Sequence, residues 1–516
     1  MKKIVSTLCI VLVTFSLFSQ TEIKLSIAEF ASGRNLLTDQ DIFSKQYIFP
    51  QKIYEVYPRA TGKNLIVQLR NTRKNKETFK SMGYVTLLNP EEGTIRWSKK
   101  IDYRNTSFRQ HQDIIIQTLD AGWMSKLDTE NGNPTWKTKN SLYFVDPTIN
   151  TGIGYTFNSF SGYTDKLQGV DLTTGKTLWE RELLHPFGWN DVIKLNDTTI
   201  MIASSGLHTV NIHTGKGWDY FMETGDKDYT AMIATNAAGL ALGILTGSFV
   251  VSTGPDIVRE IVSNVLIDSV YIYFASRDKI VCLNHMGEAQ WSTTFGKDMA
   301  SKSTIYKDDG KIYMINNGFA FTGYRKINYG TPFIAAFDSH TGNKIFKNII
   351  DGKKELIKGF KTNRDTIYLI TNNAISKYSL TDGSCILEKT MDNNTGEPLY
   401  YIGNHIYIQS ELPYMSLPLS GPDFHYVYTS LGKIQVLNAN FDLLGEVPEI
   451  QLYIHYLTHD GYRFISKDEQ TLILDDQGRA IAEIPGSDES FILDSKFYSI
   501  RDNILLETSL NDLISN

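Results

Sequence analysis

The sequence is short of the residue combinations that most enzymes and nucleic-acid binders need. Its 516 residues include three cysteines and ten dispersed histidines. There is no adjacent Cys-Cys pair, no paired zinc-type cysteines, no Gly-rich nucleotide loop and no Gly-x-Ser-x-Gly elbow. Lysine and arginine total 51 against 57 acidic residues, a formal charge of −6, so the basic surface that nucleic acid requires is missing. No cluster of lysine and arginine offers itself to anionic lipid. Carboxylates are scattered without the spacing of a calcium loop, which leaves no expected metal site and no obvious general base. The one close histidine pair, His455 and His459, falls in a stretch that alternates like a strand, so it reads as a surface or packed pair rather than as metal ligands.

Long uncharged runs are also few, and two stand out. Lys2 and Lys3 precede the apolar run 4–18, and the polar Ser19, Gln20 and Thr21 follow, which is the pattern of a secretory signal peptide over residues 1–20. Cys9 lies in the middle of that run behind Leu8, an unsuitable place for a lipoprotein site. Without the two lysines the formal charge moves from −6 to −8. The exported chain keeps Cys282 and Cys385, both inside strand patterns, and they read as two buried free thiols.

The second run, 229–255, reads YTAMIATNAAGLALGILTGSFVVSTGP. Gly239, Gly243 and Gly247 recur at every fourth position, and as a helix 232–251 would reach about 30 Å, one hydrocarbon thickness. Three readings stay open for this insertion at about 223–258: a buried excursion that packs on or plugs the fold, a segment that contacts membrane or an apolar partner, or Gly-rich strands.

What the chain has in abundance is one short phrase written nine times. It runs LNPEEGTIRW (88–97), LDTENGNPTW (127–136), VDLTTGKTLW (170–179), VNIHTGKGW (210–218), LNHMGEAQW (283–291) and FDSHTGNKIF (337–346). Weaker copies are YSLTDGSCIL (378–387), LNANFDLLGEV (437–447) and LDDQGRAIAEI (474–484). Each copy reads as a hairpin: an alternating strand, an Asp or Asn that starts the turn, a Gly that closes it, and a large residue on the returning strand. A period of about 40 residues implies an array of small four-stranded sheets that bury one another. The steps from Asn211 to Asn284, from Asn284 to Asp338 and from Ser379 to Asn438 are longer, and the extra residues read as insertions. An aromatic content of 12% favours strands. The segment 21–30 alternates like a strand that could close a ring against the last blade.

The phrase, cleanest from Asp171 through Gly175 to Trp179, resembles the repeat of the pyrroloquinoline-quinone-like β-propellers. That superfamily includes quinoprotein dehydrogenases and the non-catalytic propeller of outer-membrane β-barrel assembly. The resemblance spans about 52–484 and implies a single all-β propeller over residues 21–516, most simply of eight blades, with seven to nine left open. Asp128, Trp136, Asp171, Gly175, Trp179, Trp97, Trp291, Asp338 and Gly342 are then structural repeat residues. Quinoprotein members add adjacent cysteines, a stacking Trp and a calcium site that this chain does not match, so no cofactor is expected. The reading is a non-catalytic scaffold in a bacterial envelope, exported and periplasmic or secreted, binding protein partners. Gly239, Gly243, Gly247 and Trp189, in HPFGWND, are its candidate contacts with a partner or a membrane. A quinoprotein-like oxidoreductase and a carbohydrate-binding module are the alternatives.

Overall fold

The computed structural model describes residues 23–514 except 59–63, 75–77, 112–113, 120–121, 159–161, 186–188, 190, 205, 222–260, 297–298, 323–324, 351–355, 372–373, 391–406, 409–414, 417–423, 429–433, 448–454, 468, 477–478 and 488. The expected signal peptide and the apolar insertion with Gly239, Gly243 and Gly247 lie outside the described residues. Among the described residues the strands form antiparallel units that follow one another along the chain. The first unit takes residues 52–102, the second 106–139, the third 140–182, the fourth 191–221, the fifth 266–294 and the sixth 303–349. The seventh takes 359–390, the eighth 424–447 and the ninth 455–485, and a tenth joins 491–509 to the strand Asp41–Ile48. Among the described residues, adjacent units from the first to the eighth and from the ninth round to the first share apolar clusters, for instance Tyr155, Leu167 and Trp179 against Ile200, Ile202 and Val210, so these sheets bury their faces on their neighbours. This is the all-β propeller that the repeat implies, and each unit is a blade.

The local chemistry of the phrase is clearest at Asp171. Its Oδ1 accepts from the backbone N–H groups of Thr173 (2.7 Å) and Thr174 (3.3 Å), and its Oδ2 accepts from the Thr174 hydroxyl at 2.9 Å. Gly175 then takes φ +72° and its N–H donates to the Asp171 carbonyl at 2.7 Å. A Cβ on Gly175 would stand 2.6 Å from Trp136 of the preceding blade. Glycine is required twice over here, for the left-handed backbone and for the approach of the indole. Gly175→Ala is expected to lower stability by about 2 kcal/mol, from φ strain plus displacement of the ring, as a thermal melt would report.

At five consecutive seams the same turn latches a blade to the one before it. The indole N–H of Trp97 donates to Thr129 O (3.1 Å), that of Trp136 to Leu172 O (2.9 Å) and that of Trp179 to Ile212 O (2.8 Å). Trp218 reaches His285 O at 2.9 Å and Trp291 reaches Ser339 O at 3.0 Å. A second donor sits two residues after the ring and bonds the carbonyl at the glycine position: Arg181 to Gly215 O, Thr293 to Gly342 O and Asn348 to Gly383 O, at 3.2, 2.6 and 2.8 Å. The Trp218 latch joins the fourth and fifth blades although residues 222–260 lie between them in the chain.

The seventh-to-eighth seam inverts this arrangement. The ring position is Leu387, and the glycine position is Phe441, which takes φ +64° and is fully buried. The aromatic ring comes from the turn instead of from the preceding blade. The second donor persists, with Lys389 Nζ bonding Phe441 O at 2.8 Å.

Insertions and closure account for the rest. The long step before Asp338 holds a hairpin, Phe319–Thr322 with Arg325–Asn328. At its base is buried Asn316, whose Oδ1 accepts from Ser301 and Ser303 and whose Nδ2 donates to Thr331 O and Met299 O. The long step before Asn438 contains a short ladder, Tyr407–Ile408 with Met415–Ser416. The expected closing strand at 21–30 needs correction. The N-terminal strand runs Ser26–Asn35, and the strand laid directly against the C-terminal Ile504–Ser509 is Asp41–Ile48, with Ser44 opposite Thr508. Ser26–Asn35 pairs with Asp41–Ile48 and touches the ninth blade through Arg34 and Asn35, fusing the ninth and tenth blades into one sheet.

Candidate interaction surface

Every repeat residue expected from the sequence is placed in a latch or a turn. Trp97, Trp136, Trp179 and Trp291 are the indole donors described above. Gly342 packs under Trp291. Asp128 and Asp338 accept the N–H groups of their own turns, from Glu130 at 2.9 Å and from Thr341 at 2.8 Å. Bonds from the Thr341 backbone and side chain hold the Asp338 carboxyl below the usual carboxylate range. At Asp171 burial acts to raise the pKa, but the bonds from Thr173 and Thr174 outweigh it and the net shift is downward. These groups are spent on turn geometry.

Trp189 lies in an aromatic cluster at the junction of the third and fourth blades. Its indole N–H donates to the Tyr155 hydroxyl at 3.0 Å, and its ring centroid lies 5.1 Å from that of Tyr143. His185 stacks on Tyr155 at 3.6 Å with its Nδ1 3.3 Å from Asp165. The Asp165 carboxyl is lowered chiefly by that histidine. Trp189 is half-buried and its donor is committed, so only part of its ring faces outward.

Two polar clusters carried no sequence signal. Buried His208 bonds Asp219 through Nδ1 at 2.7 Å, and Arg181 from the preceding blade binds the same carboxylate. At the closure, the Glu507 carboxylate, 8% exposed, accepts from Tyr47 (2.9 Å), Tyr498 (3.1 Å) and Lys496 (2.6 Å). Burial and then the Glu507 charge push both tyrosine hydroxyls well above their ordinary range. Tyr47 is 460 residues from Glu507 in the chain, which is why spacing arguments miss the cluster.

The cysteine expectation needs correction in one half. Both thiols are free and Cys282 is buried, but Cys385 is exposed because it sits on the outer strand Cys385–Thr390. Burial raises the Cys282 thiol to about 12. Of the expected histidine pair, His459 stands 3.4 Å from Asp460 on the strand His455–His459. Among the described residues no three His, Cys, Asp or Glu side chains converge as a metal site, and no helix is long and apolar enough to cross a membrane.

His111 offers a measurable pH response. Burial, assisted by Arg109, lowers it to about 4 from 6.5. A base with a depressed folded pKa favours its neutral form in the fold, so its stabilisation is complete above 6.5 and is lost as pH falls toward 4. Wild type is expected to lose up to about 2 kcal/mol more than His111→Gln between pH 7 and pH 5, read by denaturant melts at both pH values.

The latched repeat is similar to that of the pyrroloquinoline-quinone-like β-propellers. Residues 80–256, about a third of the chain, match the family model described as outer membrane protein assembly factor BamB. Similar solved structures include BamB from Moraxella catarrhalis, 14% identical, covering 73% of this chain and 96% of that one with a TM-score of 0.33. The computationally designed Ika8 protein is 11% identical, with 71% and 95% covered and a TM-score of 0.32. A quinohemoprotein alcohol dehydrogenase, ADHIIG from Pseudomonas putida HK5, is 10% identical, with 76% and 71% covered and a TM-score of 0.28. No curated protein matches the chain.

Proposed function

We propose that this protein is a non-catalytic interaction scaffold of the bacterial cell envelope, exported and associated with outer-membrane protein assembly. The observation that carries the reading is the match of 80–256 to the assembly-factor family model. The disposition of polar groups supports it: the recurrent aspartates, tryptophans and second donors are used to hold blades together, which suits a rigid body that presents loops. Partner proteins would be held by those loops, and the insertion at 223–258 is a second candidate contact.

Deleting the gene in its native host tests the reading. The expected result is a fall in folded outer-membrane barrel proteins, restored by the full-length chain. Unchanged barrel levels would remove the assembly role. Purified protein supplied with pyrroloquinoline quinone and calcium is expected to show no dye-linked oxidation of alcohols or sugars, and turnover there would replace the scaffold with an oxidoreductase.

A further inference from the structure

The outer strands of the blades are sheet edges, and most are blunted in ways that keep an edge from pairing with another chain. Thr94–Asp102, Thr177–Glu182, Lys344–Ile349 and Cys385–Thr390 each carry at least two charges. Asp219–Phe221 is only three residues long, and Ala289–Thr294 is polar around its latched Trp291. Leu443–Val447 exposes Leu443 and Leu444, but Gly445 at its centre offers no side chain and Glu446 follows. The N-terminal strand is built differently. Ser26–Asn35 lies outside Asp41–Ile48 and so adds a strand beyond the fourth of the tenth blade. All six residues from Ser26 to Ala31 are exposed. They place Ile27 and Ala31 on one face, Ala28 and Phe30 on the other, and a single charge at Glu29. Phe43, opposite Ala31 on the neighbouring strand, extends the first face and is exposed as well.

The second edge of this strand is used at one end only. Arg34 and Asn35 pair antiparallel with Glu483 and Ala482 of the ninth blade. A bulge between Ala31 and Gly33 then bends the N-terminal strand. The ninth-blade strand ends at Pro485, and the Gly486 N–H turns back to donate to Glu469 O at 3.0 Å. Among the described residues no strand pairs with the second edge of 26–31.

We propose that Ser26–Ala31 is an acceptor edge for strand addition, taking an extended segment of another polypeptide that alternates apolar and polar residues and carries a cation. A row of main-chain donors and acceptors is matched by another strand, whereas a lipid surface leaves those groups unsatisfied. Apolar side chains stand on both faces of the edge, so an added strand gains cross-strand contacts above and below the sheet. Glu29 selects the charge. The cation in register with it, Lys45, is committed to Pro90 O at 2.7 Å, so the incoming chain supplies one, and a second copy of this strand would bring another carboxylate instead. The assembly role is not required here: binding of such a segment would stand even if gene deletion left barrel proteins unchanged.

Fluorescence anisotropy tests this, with the purified protein and a labelled peptide of alternating valine and threonine around one central lysine. Saturable binding is expected. N-methylation of alternate peptide nitrogens, on the side that bonds the edge, is expected to weaken it at least about tenfold, and exchange of the lysine for glutamate several-fold. Ile27→Lys with Phe30→Lys changes two exposed positions and is expected to keep the wild-type melt while weakening binding by about tenfold or more. Leu443→Lys with Leu444→Lys is expected to leave binding unchanged. The proposal is overturned if wild type does not bind, if the methylated peptide binds equally, or if the loss follows Leu443 and Leu444 instead of Ile27 and Phe30. A wild-type dimer in sedimentation that Ile27→Lys with Phe30→Lys dissolves would also overturn it, by giving the edge to a second copy.

Discussion

Trp179→Ala is expected to destabilise the protein by about 3 to 5 kcal/mol, enough to shift the thermal midpoint by several degrees. The indole is 9% exposed, packs on Gly169 of its own blade and Gly215 of the next, and donates to Ile212 O. Truncation removes the ring from a seam lined by Tyr155, Leu167 and Val210, and it leaves the Ile212 carbonyl without its donor. Trp179→Phe separates the two terms: most of the packing survives and only the hydrogen bond is lost, so about 1 kcal/mol is expected. Leu178 is the control. It is 49% exposed on the same strand, and Leu178→Ala is expected to fall within about 0.5 kcal/mol of wild type. A Trp179→Ala variant as stable as the Leu178 control would show that the latch does not carry the seam.

Removing residues 23–48 is expected to have the second large effect. The tenth blade would lose its outer strand, and two cores would lose members at once: Tyr47 and Ile23 from the cluster with Leu65 and Leu505, and Ile42 from the cluster with Phe464 and Phe497. Glu507 would lose the Tyr47 hydroxyl, leaving a buried carboxylate short of a partner. The hydroxyl chain from Ser32 through Ser44 to Thr508, at 2.5 and 2.6 Å, would also go. The expected result is loss of the single cooperative melt, with early proteolysis across 491–514 while residues 65–221 stay protected. Limited digestion with peptide mapping reads this directly. Protection of 491–514 equal to that in the intact chain would mean that the hairpin is an ornament rather than a clasp.

The repeat made most of the architecture legible, because Asp, Gly and Trp each have a distinct turn or packing role. The blade number was harder to read, since a phrase marks the turn from the third strand to the fourth. The tenth blade has no such turn: its fourth strand, Asp41–Ile48, comes from the other end of the chain. Nine phrases therefore accompany ten units among the described residues, where the resemblance pointed to eight. The second latch donors were invisible because Arg181, Thr293, Asn348 and Lys389 share a geometry and not a residue type. Phe441 was hidden for the opposite reason, since its phrase lacks the glycine that marks the turn. Cys385 looked buried because its segment alternates, yet the outer strand of a blade has solvent beyond it. The function was the least legible part, because the residues that recur are those that hold the blades together.

The Ser44 to Thr508 contact spans 464 residues, and it sets an order of events. Neighbouring wedges can assemble as the polypeptide emerges, each stacking on the one before. The circle itself cannot shut until the final segment has been delivered, so a nascent chain is an open arc whose two raw ends wait for each other. A shortened product that ends before residue 491 would have nothing for the waiting hairpin to grip, and quality-control proteases would meet it as an unclosed crescent.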